Sequence, residues 1–228
     1  IHGHPLVYLD SAGTSQKPQC VIDAESDFYR TINAGVHRGA HELAARSTMA
    51  FEEARAKVAR LVGASFAEGE EEIVVTSGAT TGLNLLATAF GNASLGRGGE
   101  AARRFCLKPG DEIVVSKAEP HSVLLPFQEL AVRTGATLKW FDLDSDGRIL
   151  SNTADEVITE RTKIVAVTHV GNTTGAITDI APMVKRAHEV GAVVVLDACQ
   201  SVPHLKIDLH ALDVDFAAWS AHKMYGPT

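Results

Sequence analysis

Short, almost wholly apolar β-branched runs are the feature that most limits the folds open to this chain. They read EEIVVT (71–76), DEIVVS (111–116), ATLKWFDL (136–143), TKIVAVTHV (162–170), AVVVLDA (192–198) and DVDFAAWS (213–220). A strand covered on one face alternates apolar and polar residues. TKIVAV and AVVVL do not alternate, so the expectation is burial on both faces. Helical periodicity fills the intervals: Ser47 to Val62 puts Phe51, Ala54, Val58, Leu61 and Val62 on one face and stops at Gly63, and a second amphipathic run over 180–190 ends at Gly191. Strands alternating with helices predict βαβ units, and so an α/β fold whose parallel-rich sheet is sandwiched between helices.

The 228 residues suffice for one sizeable core, and no convincing domain boundary or internal repeat interrupts them. GNASLGRGGEAARRF (91–105) reads as a surface excursion, and residues 1–45, with weak periodicity and many turn formers, read as an N-terminal arm. A net charge of −7 without any lysine/arginine run argues against a nucleic-acid partner. No apolar stretch has the length of a membrane span, and IHGHPLVYLD is not a signal peptide. Cys20, Cys106 and Cys199, odd in number and widely spaced, make no disulfide framework. The expectation is a cytoplasmic protein that binds neither nucleic acid nor membrane.

In open α/β sheets ligands gather at the C-terminal ends of parallel strands, so the polar residues there carry the chemistry. EEIVVT runs into SGATTGLNLL, where Ser77, Gly78, Ala79, Thr80 and Thr81 would form a small-residue turn opening a helix. Backbone amides and hydroxyls in such a turn suit a phosphate, although serine and threonine caps are also common where nothing binds. Asp197 ends an apolar strand, with Gln200 three residues on. A carboxylate at a buried strand end requires a partner; a helix cap would supply one, and so would a protonated ring nitrogen. DFAAWSAHK then delivers Ser220, His222 and Lys223. A lysine near a terminus is ordinarily a solvated surface group. Together with a phosphate turn and a strand-end aspartate it is instead the protein side of pyridoxal 5'-phosphate chemistry, the lysine forming a Schiff base with the cofactor aldehyde.

These motifs bear a family resemblance. YLDSAGTSQKP (8–18), VHRGAHELAARS (36–47), TSGATTGLNL (76–85), LKPGDEIVVS (107–116), THVGNTTGAI (168–177), LDACQSVPH (196–204) and SAHKMYGPT (220–228) resemble the cysteine desulfurases, closest to the iron–sulfur assembly branch that includes selenocysteine lyases, within the class V aminotransferase superfamily. The resemblance covers the chain apart from 91–105. It implies a fold-type-I large domain over 1–228, with a mostly parallel mixed sheet of about seven strands, and no C-terminal small domain in this chain.

The resemblance also assigns roles. Lys223 would be the Schiff-base lysine, Asp197 would pair with the pyridinium, and Gln200 would bond the ring oxygen. His121, in AEPHSVLLP, matches the histidine that stacks on the ring. Thr80, Ser220 and His222 would hold the phosphate, assisted by the Ala79 amide. Asn172 would lie near the ring oxygen and the substrate, with Ala12, Gly13 and His37 lining the substrate side. Three motifs depart from the family pattern: EHHAN becomes EPHSV, GTTE becomes GATT, and LDNAAT becomes LDSAGT. The mobile-loop cysteine that takes up sulfur, and the arginine that grips the substrate carboxylate, follow the lysine in these proteins and have no counterpart in this chain.

The implied reaction removes sulfur from L-cysteine to give L-alanine and a protein persulfide for iron–sulfur assembly, by a homodimer that hands sulfur to an acceptor protein. The alternatives are a selenocysteine lyase, another class V aminotransferase or β-lyase, or a fold that serves only as a scaffold. A metal is not expected: His37 and His41 are four apart, but Gly39 between them opposes a helix and no third ligand completes a set. His169 within an apolar strand reads as a core or near-site histidine, Cys199 as a small hydrophobe, and Cys20 and Cys106 as inert.

Overall fold

The computed structural model describes residues 2–228, and Ile1 lies outside the described residues. The chain divides into two compact units, residues 1–75 with 220–228, and residues 76–219. The first contains α1 (Gln19–Thr31), α2 (Glu42–Val62) and a 3₁₀ turn at Ala221–Lys223. The second contains α3 (Ala79–Ser94), α4 (Gly99–Ala102), β1 (Glu112–Ser116), α5 (His121–Thr134), β2 (Thr137–Phe141), α6 (Ala154–Val157), β3 (Thr162–Thr168), α7 (Ala181–Glu189), β4 (Val193–Asp197), α8 (Ser201–His204) and β5 (Phe216–Ala218).

The second unit is an α/β sheet in which β2, β1, β3, β4 and β5 lie side by side in that order, every pair parallel. Burial on both faces follows from the sequence. Ile113, Val115, Ile164, Ala166 and Val195 pack with Leu83, Phe127 and Leu130 of α3 and α5 into one core. The intervening Val114, Val165, Val167, Val194 and Leu196 are buried as well, and the two-residue period of a strand sends them to the opposite face. The order matters for function. From β1 the chain crosses to β2 on one side, and β3, β4 and β5 then build out on the other. The β1/β3 boundary is therefore the topological switch point, where a crevice opens beyond the strand ends.

Among the described residues five strands are present where about seven were expected. EEIVVT (71–76) forms no ladder among the described residues. Ile73 is buried and its carbonyl accepts from Arg55 Nε and Nη2 at 3.0 and 2.7 Å, while Val74 and Val75 are 72% and 60% exposed. A β-rich composition makes a strand only where a neighbouring strand takes up its amides. The 91–105 stretch is less of an excursion than its glycines imply, because α3 continues to Ser94 and α4 follows at once. Phe105 returns to pack on Phe90 at 5.3 Å between ring centroids, and Cys106 Sγ donates to Ala93 O. The weakly periodic 1–45 stretch contains the thirteen-residue α1, which buries no residue.

Phe127 and Leu130 are fully buried between α5 and the sheet. Phe127→Ala is expected to lower unfolding free energy by about 3–5 kcal/mol, measured by urea denaturation.

Candidate active site

The parallel register sets the C-terminal ends of β1, β3, β4 and β5 along one edge of the second unit. Thr168 is level with Asp197, and Asp197 with Ala218. Asp197 is only 3% exposed. Its Oδ1 accepts from Cys199 N at 2.9 Å, and its carbonyl accepts from His169 N at 3.0 Å. The turn after β4 therefore folds back on its own carboxylate, which keeps the side chain at the strand mouth. Gln200, 4% exposed, follows in the same turn. Cys199 packs in the apolar core with Ala79 and Ala218, as a small hydrophobe does.

Beyond β1 and β3 lies a cleft of about 410 Å³, lined among others by Glu119, His121, Gly171 and Asn172. His121 is the first residue of α5 and Asn172 lies in the turn after β3, and both are exposed. A Cβ at Gly171 would meet the Thr174 hydroxyl at 2.7 Å, so a larger residue there would push that side chain aside. The small-residue turn predicted at 77–81 opens α3: Gly78 caps the helix at φ 133°, a conformation that side chains resist, and Ala79 and Thr80 form its first turn. Ser77 Oγ and Thr81 Oγ1 lie 2.8 Å apart across that turn. His169 is buried with its Nδ1 unpartnered among the described residues, and burial pushes its pKa down.

Ser220, His222 and Lys223 belong to the first unit, where the N-terminal SAGTSQKP motif grips the chain at His222. The His222 carbonyl accepts from Ser15 N at 3.0 Å, Ser15 Oγ at 3.0 Å, Thr14 Oγ1 at 3.1 Å and Lys17 Nζ at 2.9 Å. Ser15 Oγ also accepts from Tyr225 N at 2.8 Å, fixing Tyr225 at φ 66°. Burial pushes the His222 pKa down, with the charges of Lys223 and Lys17 adding to it. The Lys223 ammonium makes no ion pair among the described residues. Ala12 and Gly13 form an exposed turn, where a Cβ on Gly13 would meet the Asp10 carboxylate at 2.9 Å.

His37 stands at φ 56°, in the left-handed region that a histidine enters at a cost. Its amide donates to Thr48 Oγ1 at 3.0 Å and its Nε2 to Glu52 Oε1 at 2.8 Å, a bond that holds the Glu52 pKa down. His41 caps α2 by accepting from Ala44 N. Among the described residues no three metal-ligating side chains converge, and no helix is long and apolar enough to cross a membrane.

Sequence reasoning missed Thr14, Ser15, Lys17 and Glu119. The first three sit beside the predicted Ala12 and Gly13, yet their partners lie more than 200 positions away. Ser15 is 4% exposed. Ser15→Ala is expected to cost roughly 1–3 kcal/mol, the penalty for stranding buried polar groups. Hydrogen exchange should accelerate at Tyr225 while the strands of the second unit keep their protection.

The family model described as aminotransferase class-V matches residues 7–228. A probable cysteine desulfurase of Halalkalibacterium halodurans is 46% identical over 228 residues, covering 100% of this chain and 52% of that protein. The solved structure of the cysteine desulfurase CsdA of Escherichia coli superposes with a TM-score of 0.81 at 38% identity, over 97% of this chain and 52% of that one. A structure of SspA in complex with cysteine gives a TM-score of 0.81 at 26% identity, over 97% of this chain and 58% of that one. The chain thus spans about half the length of the relatives it matches.

Proposed function

Because the chain belongs to the class-V aminotransferase family, we propose that residues 1–228 form a single domain that binds pyridoxal 5'-phosphate and acts within a cysteine desulfurase. The observation that carries this is the buried Asp197 at the end of β4, on the strand beside β5, whose chain continues within two residues into Ser220-Ala221-His222-Lys223. A carboxylate sealed at a strand mouth calls for a cationic partner, and a protonated ring nitrogen is such a partner. The donor set also fits the rest of the cofactor.

In this reading Lys223 Nζ would hold the cofactor at its aldehyde and would be placed to move a proton at the substrate carbon. Gln200 bonds the ring oxygen, His121 stacks on the ring, and Asn172 serves both ring oxygen and substrate. Ala79 N, Thr80, Ser220 and His222 hold the phosphate; depression of the His222 pKa favours a neutral imidazole there, which can donate one bond and accept another. Ala12, Gly13 and His37 face the substrate. When bound, the cofactor supplies an electron sink for charge developing on the substrate.

For the whole protein we propose removal of sulfur from L-cysteine, leaving L-alanine and a protein persulfide that an acceptor protein draws on for iron–sulfur assembly, in the cytoplasm. The cysteine bound to SspA supports this substrate class. None of the three cysteines is assigned the sulfur-accepting role: Cys199 is buried, Cys106 bonds Ala93 O, and Cys20 is exposed on α1. Exposed Leu6, Val7 and Leu9 support a homodimer, since a second copy would cover them.

Added pyridoxal phosphate is expected to turn the protein yellow, with a visible band abolished by borohydride. Lys223→Ala should remove the band, and Asp197→Ala should weaken cofactor binding about tenfold or more, as loss of a charge-assisted bond does. Alanine as the product from cysteine supports a desulfurase. Pyruvate and ammonia would mark a β-lyase, and a protein that stays colourless with added cofactor would mark a scaffold.

A further inference from the structure

Glu119 lies at the switch point of the sheet, three residues past the end of β1, and none of the cofactor contacts proposed above uses it. Its Oε1 accepts from Ser116 Oγ, at the end of β1, and from Thr168 N, at the end of β3, the latter at 3.1 Å. One carboxyl oxygen thus ties together the two strands that flank the crevice. The other oxygen, Oε2, is sealed from solvent and has no hydrogen-bond partner among the described residues. The residue also lines the cleft that contains His121 and Asn172.

An ionised Glu119 would leave a bare, desolvated oxygen and set a second anion beside Asp197. A carboxylic acid removes both the desolvated charge and the second anion, leaving only the smaller cost of an unpaired hydroxyl, since two carboxylates at one site do not both ionise readily. Burial pushes the Glu119 pKa up to about 8, and the charge of Asp197 adds to the effect. From β4 the titratable group facing it is Asp197. On the β3 side Thr168 is uncharged, and the next residue, His169, has its pKa lowered by burial. On its own loop Lys117 is exposed and paired with Asp142, and His121 is exposed.

We propose that Glu119 is a positioning residue that carries a proton on Oε2, so that Asp197 is the one anion these strand ends offer to a cationic ring nitrogen. The purpose of that single charge rests on the cofactor reading above. The protonation itself is tested on the protein without cofactor, so the two can fail separately.

Infrared difference spectroscopy of the cofactor-free protein should show a carboxylic-acid carbonyl band that is present at mildly acid pH and lost as pH rises through about 8. Glu119→Gln should lack it. A band that survives in Glu119→Gln, or is missing from the wild type, overturns the proposal.

Stability gives a second readout. The folded pKa lies above the ordinary 4.5, so the stability that the neutral acid lends is complete below 4.5 and is lost as pH rises through about 8. Within that window the group raises the unfolding constant about tenfold per pH unit. Glu119→Gln keeps a carbonyl acceptor without titrating, so urea unfolding across the window should lose this slope. Glu119→Ala, which strands Thr168 N, should be destabilised at every pH. A purely structural Glu119 would leave wild type and Glu119→Gln with the same slope, and that result contradicts the proposal.

Discussion

The parallel ladder that sets Thr168, Asp197 and Ala218 level with one another is the constraint on which the second unit depends. It buries both faces of β1, β3 and β4 in apolar residues, and it puts the polar residue that follows each strand on the same edge. A sheet so covered offers polar chemistry only at the ends of its strands. Asp197 occupies one of these ends and is sealed there, where burial of a carboxylate calls for a partner and the proposed one is a cationic ring nitrogen. The turn that follows it, with Cys199 N on Oδ1, secures the carboxylate but does not neutralise it.

Charge economy at this edge ties the two inferences together. In the proposed cofactor reading, a neutral Glu119 leaves one negative charge at this edge, on Asp197, to match one positive charge on a ring nitrogen. With Glu119 ionised, the same edge would bind a single cation with an excess anion left in a low-dielectric site. Glu119 also closes the switch point mechanically, because its Oε1 joins the ends of β1 and β3.

Much of this was legible in the sequence, for physical reasons that differ from residue to residue. β3 and β4 could be read because continuous β-branched runs are rare outside doubly covered strands, and Asp197 because a charge directly after such a run is conspicuous. The Gly78 cap was marked by a glycine between strand and helix patterns. EEIVVT misled because propensity cannot report whether a neighbouring strand exists, and Val74 and Val75 lie exposed without one. The grip of Thr14, Ser15 and Lys17 on the His222 carbonyl was hidden, since sequence spacing says nothing of partners more than 200 positions distant. Glu119 was visible as a letter within EPHSV, but its role requires the strand order and the burial of Oε2, which no local pattern carries.

The central claim is that the amine of Lys223 and the carboxylate of Asp197 serve one cofactor. The most direct measurement is peptide mapping by mass spectrometry after the protein has been loaded with pyridoxal phosphate and reduced with borohydride. The account predicts one phosphopyridoxyl label, on Lys223, whose yield falls in Asp197→Ala. A label spread over surface lysines such as Lys57 or Lys185, or a Lys223 label indifferent to Asp197, would contradict it.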